Sequence, residues 1–377
     1  MKLGIIGGGA MGSGIAQVAA MAGWEVRIFD TQETARNKAL KSISDSINIL
    51  VSKDKMSASE GVATLGRIYM SEKLETLSDV DLVIEAIIED LEIKKSVFKA
   101  LEGIVSDACI IASNTSSLSV TSLASALEKP GRFVGIHFFN PPVLMKLVEV
   151  IPAVQTHSDI TIQVKNIVES WSKTVVTAKD TPGFIVNKVA RPFYSEAIRI
   201  LEEGIADIAT IDHAMTSNGF KMGPFTLMDF IGHDVNYRVT ESVWKSFFYD
   251  SRYRPSFTQL RLLEAGYLGK KTGKGFYDYQ SDSKPTPLEN KILSDIIFLR
   301  IISMLINEAA DTVYQQICSQ EDADLAVKLG VNYPKGLFEW GKEIGYTKIV
   351  ETLDDLNQVY GEERYRVSRY LRLLAKN

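Results

Sequence analysis

The sequence predicts an α/β chain, an N-terminal doubly wound sheet followed by two all-α C-terminal repeats. Three observations predict it. Short β-rich runs alternate with helical stretches up to about residue 180, the apolar spacing turns helical from Thr181-Pro182-Gly183, and the helical pattern then recurs once. These breaks divide the 377 residues into segments 1–182, 183–280 and 288–377.

The β-rich runs are Leu3–Ile6, Glu25–Phe29, Asp81–Ala86, Cys109–Ala112, Phe133–Phe139, Lys146–Ile151 and Thr174–Ala178. A long polar-rich stretch, Thr31–Lys55, interrupts the βα rhythm and reads as a helical excursion beside the sheet, with Lys53 and Lys55 at its tip.

The first βαβ unit, KLGIIGGGAMGSGIAQVAAMAGWEVRIFD, is the most specific. Gly7 suits a tight turn, Gly9 lets backbone approach a pyrophosphate, and Gly12 lets the helix pack closely on the strand. Asp30 follows Gly7 by 23 residues, at the end of the second strand. A carboxylate there binds the adenosine ribose and repels a 2′-phosphate, so the unit is a Rossmann-type site for NAD rather than NADP. Its six glycines before residue 15, and its uninterrupted run into Asp30, argue against a secretory signal.

His137 is one of four histidines, and HFFNPPVLMKLVEV places Glu149 in the second of two strand-like runs joined by Pro141-Pro142. A neutral imidazole takes a proton near pH 7, and a buried carboxylate on its other nitrogen fixes the tautomer. The plainer reading is a core histidine satisfied by an acid. Beside a dinucleotide unit, the pair reads as a base and its orienting partner.

In the helical part, apolar spacing runs through Phe184–Leu201, Ile208–Met215 and Pro224–Trp244, and Gln280–Pro287 reads as a linker. Beyond it, LRIISMLINEAADTV aligns with NKVARPFYSEAIRIL, bringing Glu196 onto Glu308. Likewise EDADLAVKLGVNYPKGLF aligns with IATIDHAMTSNGFKMGPF, bringing Asp212 onto Asp324 and, with one residue inserted, Gly223 onto Gly336. Leu299 stands where the first copy has Asn187, so the second copy is expected to pack rather than react.

Composition sets bounds. The chain is 45% hydrophobic, enough for two or three cores, and its net charge of −5 without a long basic run argues against nucleic acid as a partner. No run of 18 apolar residues suggests a membrane span. Cys109 and Cys318, with the four histidines, show neither disulfide nor zinc spacing, so no metal is expected and both thiols are expected reduced, in a cytoplasmic setting.

GGGAMGSGIAQVAA, SNTSSL, GIHFFNPPVLMKLVEV, KDTPGFIVNK, GFKMGPFTLMD and GKKTGKGFYDY occur in an order that resembles the 3-hydroxyacyl-CoA dehydrogenase family, over nearly all of residues 1–280. The extra helical copy resembles the duplicated C-terminal unit of some members. The resemblance implies NAD-linked interconversion of an (S)-3-hydroxyacyl-CoA and a 3-ketoacyl-CoA in fatty-acid or related metabolism. It implies His137 as base with Glu149 as partner, and Ser116 and Asn187 as hydrogen-bonding groups for substrate or base. Glu89, Lys94, Asn114, Asn140 and Lys271 match groups near the cofactor, and Lys53 and Lys55 suit the phosphates of coenzyme A. Each has a plainer use: Ser116 as a helix cap, Asn140 as a turn residue, Glu89 and Lys94 as a solvated helix start. The expected assembly is a monomer with an internal pseudo-dimer, or a homodimer. A sugar-acid dehydrogenase of the same superfamily and a non-catalytic NAD-binding protein are the alternatives.

Overall fold

The computed structural model describes residues 1–283 and 285–376, in two compact units that divide between Thr181 and Pro182. The first holds one eight-stranded sheet of β1 (Lys2–Ile6), β2 (Glu25–Phe29), β3 (Ile68–Ser71), β4 (Leu82–Glu85), β5 (Ile110–Ser113), β6 (Phe133–Phe138), β7 (Leu147–Pro152) and β8 (Thr174–Thr177). Their spatial order is β3-β2-β1-β4-β5-β6-β7-β8, parallel throughout except where β6 meets β7. Strand order reverses beside β1, which leaves a crevice at the carboxyl ends of β1 and β4. Helices cover the faces: α1 (Ala10–Met21), α2 (Glu33–Ser52), α3 (Ala58–Leu65), α4 (Leu91–Glu102), α5 (Val120–Ala124) and α6 (Ser158–Ser170). Leu3, Ile5, Leu82 and Ile84 are therefore fully buried, as continuous apolar strands of a two-sided parallel sheet must be.

β3 was not among the expected strands. It has four residues at the sheet edge and buries only Ile68, so it carries no alternation to read. The excursion forms the 20-residue α2 and the separate α3, whose start is fixed by a capping box between Ser57 and Glu60.

The second unit is helical: α7 (Val186–Val189), α8 (Arg191–Glu202), α9 (Ile208–Thr216), α10 (Pro224–Ile231), α11 (His233–Ser246), α12 (Phe257–Glu264), α13 (Lys291–Tyr314), α14 (Gln320–Gly330), α15 (Leu337–Ile344), α16 (Tyr346–Tyr360) and α17 (Arg369–Leu374). Two expected helices are shorter than their apolar spacing suggests. Gly183 and Phe184 sit at φ of +74° and +47°, which delays the first to Val186, and Gly232, at φ +96°, breaks the stretch 224–244 in two. Part of the expected linker, Lys284, lies outside the described residues.

The aligned pairs do the same work in both copies. Asp212 accepts from the Phe225 and Thr226 amides, and Asp324 from the Phe338 amide. A Cβ on Gly223 would meet Asp212 at 2.4 Å, and one on Gly336 would meet Asp324 at 2.2 Å. Among the described residues no helix is long and apolar enough to cross a membrane.

Candidate active site

His137 on β6 and Glu149 on β7 are direct cross-strand partners in the one antiparallel step of the sheet. Their side chains therefore leave the same face side by side. His137 Nδ1 lies 2.6 Å from Glu149 Oε2, with the ring 6% exposed and the carboxylate fully buried. An ionised carboxylate only accepts, so Nδ1 carries the proton in this bond, which leaves Nε2 as the acceptor nitrogen of the neutral ring. Phe139 packs against the imidazole with ring centroids 4.6 Å apart.

The SNTSSL segment follows β5 and is organised by Glu89. One oxygen of Glu89 accepts from Thr115 Oγ1 at 2.6 Å and from the amides of Ser116 and Ser117 at 2.9 and 3.2 Å. Its other oxygen meets Lys94 Nζ at 3.0 Å, and Lys94 also reaches Glu85 at 2.7 Å. Burial pushes the Glu89 carboxyl up, but the Lys94 charge and the hydrogen bonds outweigh it and hold it below its ordinary range. A solvated helix start is thus the wrong reading for Lys94, which is 1% exposed between two carboxylates. Nor is Ser116 the cap. Ser119 caps α5, and Asp180 accepts from the Val120 and Thr121 amides. Asn114 accepts from the Phe138 amide at 2.9 Å, tying the end of β5 to the strand that carries His137.

At the glycine turn, Gly7 adopts φ +108°, and a Cβ on Gly12 would stand 1.9 Å from the Gly7 carbonyl oxygen. The fold itself demands both. Gly9 differs: its φ is −69°, and a Cβ there would meet nothing within 4 Å. No packing requirement explains its missing side chain, whereas a pyrophosphate seated at the start of α1, where no side chain caps the helix, does. Asp30 is held by the Gly8 and Gln32 amides, both at 2.8 Å. These residues fit NAD.

An open groove beside α1 is lined by Ser13, Gly14 and Gln17, by Lys38, Lys41, Lys53 and Lys55, and by Asn140–Leu144. Lys53 and Lys55 are exposed, as is Asn140. Lys41 is neutralised by Asp45 at 2.6 Å. The sequence reading missed Lys38, although a lysine one helical turn before Lys41 was a legible signal. It also missed Lys173, whose amine donates to the carbonyls of Pro142 and Met145 and so pins the turn between the His137 and Glu149 strands. Burial lowers Lys173 to about 8.

In the helical unit, Asn187 lies on α7 and is half-buried. Lys271 forms an ion pair with Asp234. The glycines of GKKTGKG have a packing reason that spacing did not reveal. A Cβ on Gly269 would meet the backbone carbonyl oxygen of Asp229 at 2.2 Å, and one on Gly275 would meet its carboxylate at 2.1 Å, the carboxylate turning inward to accept from the Phe276 and Tyr277 amides and to meet His233 at 2.9 Å.

Known proteins share this architecture. The 3-hydroxyacyl-CoA dehydrogenase NAD-binding domain matches residues 2–181, and the C-terminal domain of the same family matches twice, at 183–279 and 297–377. A 3-hydroxyadipyl-CoA dehydrogenase of Escherichia coli K12 is 34% identical over 98% of this chain and 96% of its own. A 3-hydroxybutyryl-CoA dehydrogenase of Bradyrhizobium diazoefficiens is 41% identical over 76% of this chain and 97% of its own. A crystal structure of 3-hydroxybutyryl-CoA dehydrogenase from Escherichia coli K12 superposes with a TM-score of 0.95 at 34% identity, covering 100% of this chain and 98% of that one. The chain therefore belongs to the 3-hydroxyacyl-CoA dehydrogenase family, as an NAD-dependent oxidoreductase of acyl-CoA metabolism.

Proposed function

We propose that His137 is the base and Glu149 its orienting acid in the interconversion of an (S)-3-hydroxyacyl-CoA and its 3-ketoacyl-CoA. The buried 2.6 Å contact between them carries the reading. Bound NAD supplies the hydride acceptor. As the substrate is oxidised, His137 Nε2 removes the C3 hydroxyl proton, and Glu149 stabilises the imidazolium that results. In the reverse direction that imidazolium returns the proton to the ketone oxygen. Ser116 and Asn187 are assigned hydrogen bonds to the substrate oxygen, where donors stabilise developing charge. The Ser116 amide is held by Glu89, so its hydroxyl stands on an ordered loop.

For the cofactor, the backbone at Gly7, Gly9 and Gly12 receives the pyrophosphate and Asp30 the ribose. Glu89, Asn114, Asn140 and Lys271 are assigned to the nicotinamide half by resemblance. Lys94 acts there through Glu89, which it neutralises from beneath. Lys53 and Lys55, joined by Lys38, receive the phosphates of coenzyme A, and their exposed cations along one groove support this over a sugar-acid substrate. The helical segments 183–280 and 288–377 are two copies of one unit, so that a monomer with an internal pseudo-dimer suffices, and the cytoplasm is its proposed location.

NADH oxidation by acetoacetyl-CoA at neutral pH, with wild type beside His137→Ala, tests the reading. Turnover that disappears in the variant is expected. A folded, NAD-binding wild type that turns over neither acetoacetyl-CoA nor longer 3-ketoacyl-CoA would refute it.

A further inference from the structure

The geometry assigns Glu308, in the second helical copy, as a positioning residue for Asn187 in the first. This rests on the reading of Asn187 as a hydrogen-bonding group for the substrate. Asn187 sits on α7, a helix of four residues, too short to hold its own shape. Left-handed backbone at Gly183 and Phe184 precedes it, and α8 begins at Arg191 with Pro192 in its first turn. What anchors α7 is its next residue. Lys188 is fully buried, its ammonium ion-pairs with Glu308, and it donates to Thr312 Oγ1 at 2.9 Å. Both partners belong to α13, the long helix of the second copy. Glu308 is itself fixed, accepting from Tyr253 Oη at 2.5 Å and meeting Arg252 at 3.4 Å. Asn187 thus adjoins a cation whose position the other copy dictates.

The second copy contains the same device with its chemistry missing. Arg300 stands where the first copy has Lys188, and its Nε meets Glu196 at 2.6 Å, while Tyr365 Oη donates to Glu196 at 2.9 Å. Each acid is therefore served by the cation and the tyrosine of the opposite copy, the reciprocity of a two-fold interface. But the residue before Arg300 is Leu299. In the second copy the bridge to Glu196 springs from the middle of the long helix α13, next to an apolar residue, so it tests the same ion pair with no polar group to position and serves as an internal control for the Glu308 bridge.

Four full-length variants decide the matter: Glu308→Gln, Glu196→Gln, Asn187→Ala and the double variant Lys188→Met/Glu308→Gln. Melting temperature, kcat with acetoacetyl-CoA and KM for NADH are measured for each. We expect Glu308→Gln and Glu196→Gln both to lower the melting temperature. Only Glu308→Gln should lose kcat, by about tenfold, since small misplacements of a reacting group are costly while cofactor affinity is set elsewhere. The double variant removes the unpaired buried ammonium and so restores folding, yet it should keep the loss in kcat. It takes the place of Glu308→Gln if that chain does not fold. Wild-type kcat in both Glu308 variants, or equal kcat losses in Glu196→Gln and Glu308→Gln, overturns the assignment. Wild-type kcat in Asn187→Ala would instead remove the role of Asn187 on which it rests.

Discussion

Replacing Glu149 by Gln isolates the charge that faces His137. The substitution keeps size and shape in a fully buried position, and a glutamine carbonyl can still accept from Nδ1 across the 2.6 Å contact. What it removes is the anion that stabilises the imidazolium. Two unit charges about 4 Å apart at an effective dielectric of about 20 interact by about 4 kcal/mol. A neutral hydrogen bond retains about 1 kcal/mol of that. The difference, about 3 kcal/mol, corresponds to a fall in kcat of about 10²-fold. If the glutamine instead turns its amide nitrogen to Nδ1, the ring must carry its proton on Nε2 and the loss is larger. Initial rates of NADH formation from (S)-3-hydroxybutyryl-CoA at saturating NAD read the effect, with NADH fluorescence titration and thermal melting as controls. A variant that melts and binds NADH like wild type but keeps kcat within about threefold would refute the charge argument.

The two turn glycines should separate cofactor binding from folding. Gly9→Ala adds a methyl into open space and is expected to weaken NADH binding at unchanged melting temperature, whereas Gly12→Ala drives a methyl onto the Gly7 carbonyl and should lower both; equal stability losses would contradict the reading. Asp30→Asn keeps an acceptor for the Gly8 amide but removes the charge that repels a 2′-phosphate, so the NADP to NAD ratio of kcat/KM should rise about tenfold, and an unchanged ratio would place cofactor choice elsewhere. Lys173 is lowered by burial from 10.5 to about 8. Between those values the folded protein binds fewer protons than the unfolded chain, so this group's contribution to stability rises with pH across that window. Lys173→Met should abolish that part of the rise, read as urea midpoints at pH 8 and 10, and an identical rise in both proteins would show that the amine is not the cause.

The parts of the fold that were legible in the sequence are those where a local pattern has one physical solution. Leu3–Ile6 followed by three spaced glycines and Asp30 can hardly form anything but a strand, turn, helix and strand, and seven of the eight strands announce themselves by apolar runs. The eighth, β3, buries one residue and says nothing. In the site, the sequence brought His137 and Glu149 together because a short hairpin-like spacing can align two side chains on one face, and the register does so. It could not show that Glu89 orders the loop of Ser116, because the two are 27 residues apart and the bond is to an amide that every residue has. Nor could it show that Lys94 is enclosed by Glu85 and Glu89, since a charged run at a helix start looks the same whether solvated or buried.

The repeat is where sequence and structure constrain each other most closely. Replacing Glu308 and Arg300 by apolar residues in the intact chain would leave Lys188 without its acid and Glu196 without its cation, both still buried. Stranding one partner of a buried ion pair costs about 3–5 kcal/mol. Two such losses approach the roughly 5–15 kcal/mol that separates a folded domain from its unfolded chain. Within this chain the stability of the helical unit therefore depends on the acid and cation of both copies. Nothing in that dependence reaches the residue before the cation, so Leu299 in one copy and Asn187 in the other are equally compatible with the fold. With the role proposed for Asn187, the duplication keeps its scaffold in two halves and its chemistry in one.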